Sequence, residues 1–159
     1  MTGRYEPPSA FLKELIEDDT PHFEGDQVEA TLRHLIELMG DEHPINRDWA
    51  TFLLAQHDVD TLSVRDALLR AAVDENEYVR GEAILGLAQR DKALALPFLK
   101  RALSGEFVPM QLFEAAAIVA DPSLAADLRA FAEPSGVDAL DAVALEALEA
   151  CKAASKNPG

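Results

Sequence analysis

Cysteine, glycine, aromatic residues and positive charges are all scarce in this chain. One cysteine, Cys151, in 159 residues excludes an internal disulfide and fits a reducing compartment. Eight scattered glycines exclude a glycine-rich phosphate cradle. No stretch approaches the ~18 uninterrupted apolar residues of a membrane span, and the first residues lack the apolar core of a signal peptide. We therefore expect a cytoplasmic protein.

Positive charges are few relative to negative charges, with 14 Lys and Arg against 29 Asp and Glu and a net charge of −15. Nucleic acid and anionic membranes both require a basic surface, so neither is expected as a partner. The acidity lies at the two ends: the net charge is −10 over residues 1–60, +1 over 61–105 and −6 over 106–159. Such a field would attract a basic protein, although solubility alone also explains a high net charge.

The abundant residues are helix formers. Ala and Leu number 27 and 22, against 19 for Val, Ile and Thr together, which favours an all-α fold. A lead-in helix is predicted over 9–18 with Ser9 as its N-cap, followed by a helix that starts at Asp26 and ends at Gly40 as a C-cap glycine. Further helices are predicted over 44–56, 61–73, 75–89, 92–103, 108–120, 122–133 and 137–152. Pro97 suggests that Asp91 to Ala95 forms a separate turn.

An internal repeat runs through these helices. Residues 41–55 align with residues 74–88 at a constant offset of 33, with Asp, Arg, Ala and Leu in register. A third copy at 113–120 lacks the Arg, and a fourth at 139–149 keeps only helical Ala and Leu. The best-matched positions are Asp41 and Asp74, Arg47 and Arg80, and Ala50 and Ala83.

These residues resemble the HEAT repeat, and the period of about 32 resembles the subtype named after phycobilisome lyases. The resemblance covers 27–152 and is strongest over 27–90. It implies a right-handed α-α solenoid of about four helix pairs, with Asp41 and Asp74 at the turn before each second helix. Arg47 and Arg80 would then bridge Asp or backbone groups between repeats.

The resulting domain organisation has three parts. An N-terminal extension with the lead-in helix covers 1–25, the repeat domain covers 26–152, and a C-terminal tail covers 153–159. The repeat residues predict stacking of helices rather than catalysis.

Residues suited to chemistry are present but are not arranged in a known pattern. No catalytic motif such as GxSxG, HExxH or CxxC occurs. Turns at 41–43 and 57–60 could supply metal ligands, yet no two histidines share the i, i+4 spacing of one helix face, so we expect exposed turn histidines. Groups of neighbouring acids such as Glu17, Asp18 and Asp19 are typical of a solvated face. Cys151 lies at a helical position that is typical of a packing residue. No catalytic residue, cofactor or metal is predicted. The four histidines are His22, His34, His43 and His57.

The candidate binding surface is the inner face of the second helices. If Val79, Ala83 and Leu87 point into the core, the opposite face of the same helix is available to a partner. Aromatic residues and Met, which are enriched at interfaces, then form a ridge along a concave groove. The alternative is that Trp49 and Phe52 only cover the core beneath the lead-in helix. The predicted partner-binding residues are Trp49, Phe52, Tyr78, Glu82, Leu85 and Met110.

The function that these observations favour is a non-enzymatic protein-interaction module with an acidic solenoid surface. Its partner would be a protein, for which a basic surface is one expectation, and the chain itself a monomer or weak homodimer. Two alternatives stay open: a small enzyme or accessory protein of the chromophore-lyase-like HEAT class, and an acidic inhibitor of a basic enzyme such as a toxin.

Overall fold

The computed structural model describes residues 5–18, 20–105, 107–131 and 138–156, and all regular structure in these ranges is helical. Short 3-10 turns lie at Thr20–His22 and Pro122–Leu124. The predicted all-α solenoid class of consecutive helix pairs is confirmed, while its handedness stays a prediction. The α-helices are α1 (Ala10–Glu17), α2 (Gln27–Leu38), α3 (Pro44–Gln56), α4 (Leu62–Ala71), α5 (Glu77–Arg90), α6 (Lys92–Leu103), α7 (Met110–Val119), α8 (Ala125–Arg129) and α9 (Asp138–Lys156).

Side-chain caps define where several of these helices start. The hydroxyl of Ser9 accepts a hydrogen bond from the Leu12 amide at 3.3 Å, as the sequence predicted for α1. Thr61 caps α4 in the same way. The Asn76 side chain accepts from two amides of the first turn of α5. Each cap satisfies amides that have no partner inside the helix.

Pro97 lies inside α6, and the prediction of a separate turn at Asp91 to Ala95 was wrong. Asp91 is the N-cap of α6, and its carboxylate accepts from the Leu94 amide at 3.1 Å. The proline removes the hydrogen bond to the carbonyl of Ala93, one turn earlier. Ala93 and Pro97 are both exposed, so water can hydrate that carbonyl and the helix continues.

Helix α2 ends without the predicted glycine cap. Met39 is its C-cap and has right-handed helical backbone angles, and the Gly40 amide donates to the Glu37 carbonyl at 3.1 Å. The last turn therefore tightens into 3-10 geometry, which satisfies the terminal carbonyls without a left-handed residue. The left-handed cap occurs instead at Ala120, after α7, where φ is 49°.

The helix predicted over 122–133 is broken into two short pieces. Asp121 accepts from the Ser123 amide and begins a 3-10 turn, after which α8 follows. The final helix, α9, continues to Lys156. Several predicted segments include positions outside the described residues: 1–4 of the N-terminal extension, Asp19, 132 and 133 of the predicted helix, 137 at the predicted start of the last helix, and 157–159 of the tail.

The chain divides into two compact units, Met1–Ala83 and Ile84–Gly159, and the boundary falls within α5. In the first unit α2 packs on α3, and α1 packs on α3 as well. In the second unit α6 packs on α7, and α7 on α9. Within the described residues, no helix combines the length and apolar character needed to cross a membrane. Fully buried side chains include Leu12, Leu35, Leu54 and Leu68 in the first unit, and Leu99, Phe113, Leu124 and Cys151 in the second.

Candidate functional site

The Trp49 and Phe52 rings lie together on α3, where neither side chain is fully buried. Ala50, Leu53 and Leu54 of the same helix are buried in the core. Phe52 is 38% exposed, and its ring meets that of Trp49 edge to face with centroids 5.7 Å apart. The two rings therefore form one aromatic pair rather than two separate side chains.

The first turns of α5 add Tyr78 and Glu82 to the first unit. Tyr78 is 46% exposed. Glu82 differs from that prediction because it is only 9% exposed. Glu82 is thus not part of an open surface and instead lines a pocket beside Trp49 and Phe52.

The N-terminal segment crosses this surface before α1 begins. The Trp49 indole N–H donates a hydrogen bond to the backbone carbonyl of Tyr5 at 2.8 Å. The Tyr5 hydroxyl is hydrogen-bonded to Asp48. Tyr5 is thus bound to two consecutive residues of α3: its backbone carbonyl to Trp49 and its hydroxyl to Asp48.

Burial and the neighbouring acid shift the pKa values of this pair. Partial burial, followed by the hydrogen bond to Asp48, raises the pKa of Tyr5 to about 12. Burial raises the pKa of Asp48 as well, although the hydrogen bond from Tyr5 acts in the opposite direction. A shared low-dielectric environment, which disfavours both charged forms, explains why the two values move upward together.

Two pockets adjoin the aromatic pair. The first, of about 210 Å³, is lined by Tyr5, Asp48, Trp49, Phe52 and Glu82, and we call it the acidic aromatic pocket. The second, of about 260 Å³, lies on the α1 side of the same rings. It is lined by Leu15, Ile16, Glu17, Asp18, Trp49, Phe52, Leu53 and Gln56.

Four of the six predicted partner-binding residues belong to the first unit. Three of these four, Trp49, Phe52 and Glu82, line one pocket. Tyr78 lies near enough to Tyr5 to contribute to its raised pKa. Leu85 and Met110 belong to the second unit, where each is half-buried. Their membership of a common ridge stays a prediction.

Arg47 is the most heavily bonded of the four repeat residues. Its Nε and Nη2 donate to the two carboxylate oxygens of Asp74 at 3.0 and 3.2 Å. Its Nη1 donates to the carbonyls of Asp41 and Glu42 at 3.0 and 3.2 Å. The side chains of Arg47 and Asp74 are only 11% and 13% exposed. One guanidinium thus joins the turn before α3 to the turn before α5.

The other two repeat residues organise their own turns. Asp41 accepts from the His43 amide and the Asn46 side chain, both at 3.0 Å, and these bonds hold the pKa of Asp41 below its ordinary value. Arg80 donates to the carbonyls of Asp74 and Glu75 at 2.7 and 3.1 Å. The Arg80 contacts repeat those of Arg47 with the turn carbonyls.

Three of the four histidines contact phenylalanine rings: two stack on a ring and one makes an edge-to-face contact. His34 is on α2 and stacks on Phe11 of α1, with centroids 3.8 Å apart. His22 meets the edge of the same ring, and His57 stacks on Phe23 at 3.6 Å. The prediction of exposed turn histidines holds for His43, which caps α3 through its ring nitrogen.

Other chemistry-bearing side chains are in structural positions. Across the part of the chain that is described, no three His, Cys, Asp or Glu side chains are grouped to hold a metal ion. Cys151 is buried in α9, with Sγ 3.8 Å from the Ala116 carbonyl of α7. Burial raises the pKa of the Cys151 thiol, which disfavours the reactive thiolate.

Sequence reasoning did not identify Tyr5 or Asp48. Tyr5 precedes the first helix in a segment with no periodicity, so no pattern indicated its position. Asp48 carried a signal, because the aligned position of the next repeat is Gly81. Asn46 is a similar case: it replaces the core residue Val79, and its side-chain oxygen accepts from the Ser9 amide at 3.1 Å.

A family model described as HEAT repeats matches residues 32–120, more than half of the chain. The chain belongs to the HEAT repeat family. The match does not specify the phycobilisome-lyase subtype.

The chain is also similar to protein YibA of Escherichia coli. It is 35% identical over 95 residues to YibA of strain K12, and equally to YibA of strain O157:H7, covering 60% of this chain and 34% of each relative. The chain therefore spans about a third of the length of these curated relatives. The X-ray structure of E. coli YibA matches with a TM-score of 0.59 at 25% identity, over 87% of this chain and 55% of that one.

Proposed function

We propose that this chain is a protein-interaction module that binds a basic protein through the aromatic surface of its first unit. We define this aromatic surface as Tyr5, Ile16, Trp49, Phe52 and Tyr78. The supporting observation is the gathering of exposed apolar side chains. Among the described residues, half of the large hydrophobic side chains that are exposed belong to this surface. Adjacent exposed aromatic residues of this kind are typical of protein-binding sites.

The charge around the aromatic surface supports a basic partner. Residues 1–60, which include α1 to α3, carry a net charge of −10. Aromatic rings at the centre of such a surface contribute affinity, while the negative charge around them increases the association rate with a basic protein. The acidic-inhibitor hypothesis is a particular case of this proposal in which the bound partner is a basic enzyme.

Partner capture with matched variants tests the proposed function. The double variant Phe52→Ala, Tyr78→Ala removes two exposed rings. The control Leu62→Ala, Leu145→Ala removes two exposed leucines outside the aromatic surface. We expect the first variant to retain about tenfold less of the specific partner from a lysate of the source cells, by quantitative mass spectrometry, and the control to behave as wild type.

Two outcomes would contradict the proposed function. A folded Phe52→Ala, Tyr78→Ala variant that captures every wild-type partner would exclude the aromatic surface as the binding site. A chromophore or cofactor that stays bound through purification would favour the lyase-like alternative instead. Circular dichroism of both variants separates a binding defect from loss of the fold.

A further inference from the structure

A strap of non-helical backbone, residues 5–9, lies against α3 before α1 begins. Trp49 donates its indole N–H to the Tyr5 carbonyl at 2.8 Å, and Asp48 is hydrogen-bonded to the Tyr5 hydroxyl. Every polypeptide carries backbone carbonyls, so the Trp49 bond does not depend on which side chain stands at position 5. These two residues of α3 therefore hold the strap through one backbone group and one side chain, as binding sites for extended peptides do.

The sequence of the strap suits an extended conformation. Its five residues are Tyr-Glu-Pro-Pro-Ser, and a residue that precedes proline is restricted to extended or polyproline II backbone. Pro7 is buried, while Ser9 has extended φ and ψ and donates its amide to the Asn46 side chain at 3.1 Å. Proline-containing segments dock in aromatic-lined grooves because their geometry is fixed before they bind. The strap therefore has the chemistry of a peptide ligand.

Tyr5 is the replaceable member of the aromatic surface. The other four members lie in α1, α3 and α5, whereas Tyr5 lies in the strap and is 49% exposed. Residues 5–8 belong to no helix, so they can leave α3 without breaking a helical hydrogen bond. Departure of the strap would free the Trp49 N–H and the Asp48 carboxylate together.

The charge of the strap has the same sign as the surface beneath it. Glu6 contributes a carboxylate to residues 1–60, whose net charge is −10. A segment with Lys or Arg at the equivalent position would instead be attracted by that field. We therefore expect the strap to be a weaker ligand than a basic segment of otherwise similar sequence.

We propose that the strap occupies the site of an extended Tyr-x-Pro segment of the basic protein partner, which replaces the strap on binding. This inference rests on the proposed function and names the part of the partner that the aromatic surface recognises. The partner's backbone would accept from Trp49, its tyrosine would donate to Asp48, and its proline would take the place of Pro7. While the strap is bound, the apparent affinity for the partner is reduced in proportion to the fraction of molecules whose site is free.

Trp49 fluorescence reports on this exchange, because Trp49 is the only tryptophan in the chain and bonds to the strap. The probe is the acetylated and amidated peptide Tyr-Glu-Pro-Pro-Ser, and the matched control peptide is Ala-Glu-Ala-Ala-Ser. We expect the probe to bind the Tyr5→Ala variant with a saturable fluorescence change, and to bind the wild-type chain about tenfold more weakly. The control peptide should give no saturable change with either protein.

Two further variants locate the effect in the strap. Phe107→Ala removes a ring that is 46% exposed, close to the value for Tyr5, but from the second unit, and should bind the probe as weakly as wild type. Tyr5→Phe removes only the hydroxyl, so its affinity should lie between those of wild type and Tyr5→Ala. If circular dichroism shows that Tyr5→Ala does not fold, the comparison of Tyr5→Phe with wild type decides the result.

A basic probe tests the charge of the partner segment. The peptide Tyr-Lys-Pro-Pro-Ser should bind the Tyr5→Ala variant about fivefold more tightly than the first probe, and the difference should shrink at high salt. Equal affinities of the two peptides at low salt would overturn the basic character of the segment.

Equal affinity of the first probe for wild type and Tyr5→Ala would overturn the inference, as would the absence of saturable binding to Tyr5→Ala. Its failure is distinguishable from failure of the proposed function. If capture of the partner requires Phe52 and Tyr78 but the probe does not bind Tyr5→Ala, only the exchange of the strap is excluded. If the Phe52→Ala, Tyr78→Ala variant captures every partner, the proposed function itself is excluded.

Discussion

Single-residue differences between otherwise matching repeats create the candidate site. Asp48 stands where the next repeat has Gly81, and Asn46 where it has Val79. Asn46 accepts from the Ser9 amide and thereby fixes the start of α1, while Asp48 accepts the Tyr5 hydroxyl. The first repeat is therefore adapted to receive the N-terminal segment, with polar groups at positions that elsewhere pack or leave space.

The shifted pKa of Tyr5 gives a prediction at this scale. The chain has two tyrosines, so a Tyr78→Phe variant reports Tyr5 alone when tyrosinate absorbance is followed against pH. We expect a midpoint of about 12 rather than the ordinary value of 10.0. Because the folded pKa is raised, the stabilising effect of this contact is complete below the unfolded value and is lost as the pH rises toward 12.

The Asp48→Asn variant is the control for this titration, since it removes the charge that disfavours tyrosinate and should lower the Tyr5 midpoint. Circular dichroism across the same pH range shows whether the chain stays folded. A midpoint at the ordinary tyrosine value in the folded Tyr78→Phe variant would contradict the contact with Asp48.

At the scale of helices, one guanidinium joins two consecutive turns. Arg47 binds both oxygens of Asp74 and two carbonyls of its own turn, so the turn before α3 and the turn before α5 share one buried ion pair. Buried ion pairs contribute little relative to apolar packing, but removal of one partner leaves an uncompensated charge. We therefore expect replacement of Arg47 to lower the free energy of unfolding more than replacement of Arg80, because the bonds of Arg80 go to the carbonyls of one turn.

Substitution of the two arginines tests this comparison. We expect Arg47→Met to lower the free energy of unfolding by about 3 kcal/mol, and Arg80→Met by about 1 kcal/mol. Urea denaturation followed by Trp49 fluorescence measures both, because Trp49 lies in the same unit as the ion pair.

A double-mutant cycle separates the ion pair from the other bonds of Arg47. The cost of Arg47→Met combined with Asp74→Asn should be less than the sum of the two single costs, since the shared contact is lost only once. Equal costs for Arg47→Met and Arg80→Met would show that the Asp74 contact does not stabilise the first unit.

At the scale of the whole molecule, charge and apolar surface coincide in the sequence. The residues that form the aromatic surface lie largely within 1–60, where the net charge is −10. The screening length at physiological ionic strength is about 8 Å, so the effect of such a charge on association depends on salt. The aromatic contacts themselves depend much less on salt.

Salt dependence of partner binding therefore separates the two contributions. We expect the association rate of the captured partner, measured by surface plasmon resonance, to fall about tenfold between low and physiological ionic strength, while the dissociation rate changes little. Glu24→Gln with Asp58→Asn should reduce this dependence more than Glu146→Gln with Glu149→Gln, because the first pair lies in the more acidic segment. Equal effects of the two pairs would indicate that only total charge matters.

Local sequence information was sufficient for much of the helical structure. The Ser9 cap and the boundaries of α3 followed from capping residues and helical periodicity, both of which act within a few residues. The same local rules failed at Pro97 and Gly40. In both cases the backbone had another way to satisfy its hydrogen bonds, through hydration at Ala93 and through a 3-10 turn at the end of α2.

The sequence by itself determined the all-α class, the repeat of 33 residues and the uneven acidity, because composition and periodicity are properties of the chain. Only the tertiary structure brought Tyr5 to Trp49 across 44 positions and placed Asp48 and Glu82 in one pocket. The periodicity predicted a face of α3 that is available to a partner, but not that an aperiodic segment would cross it. A contact between distant residues depends on the packing of α1 against α3, and no local pattern records that packing.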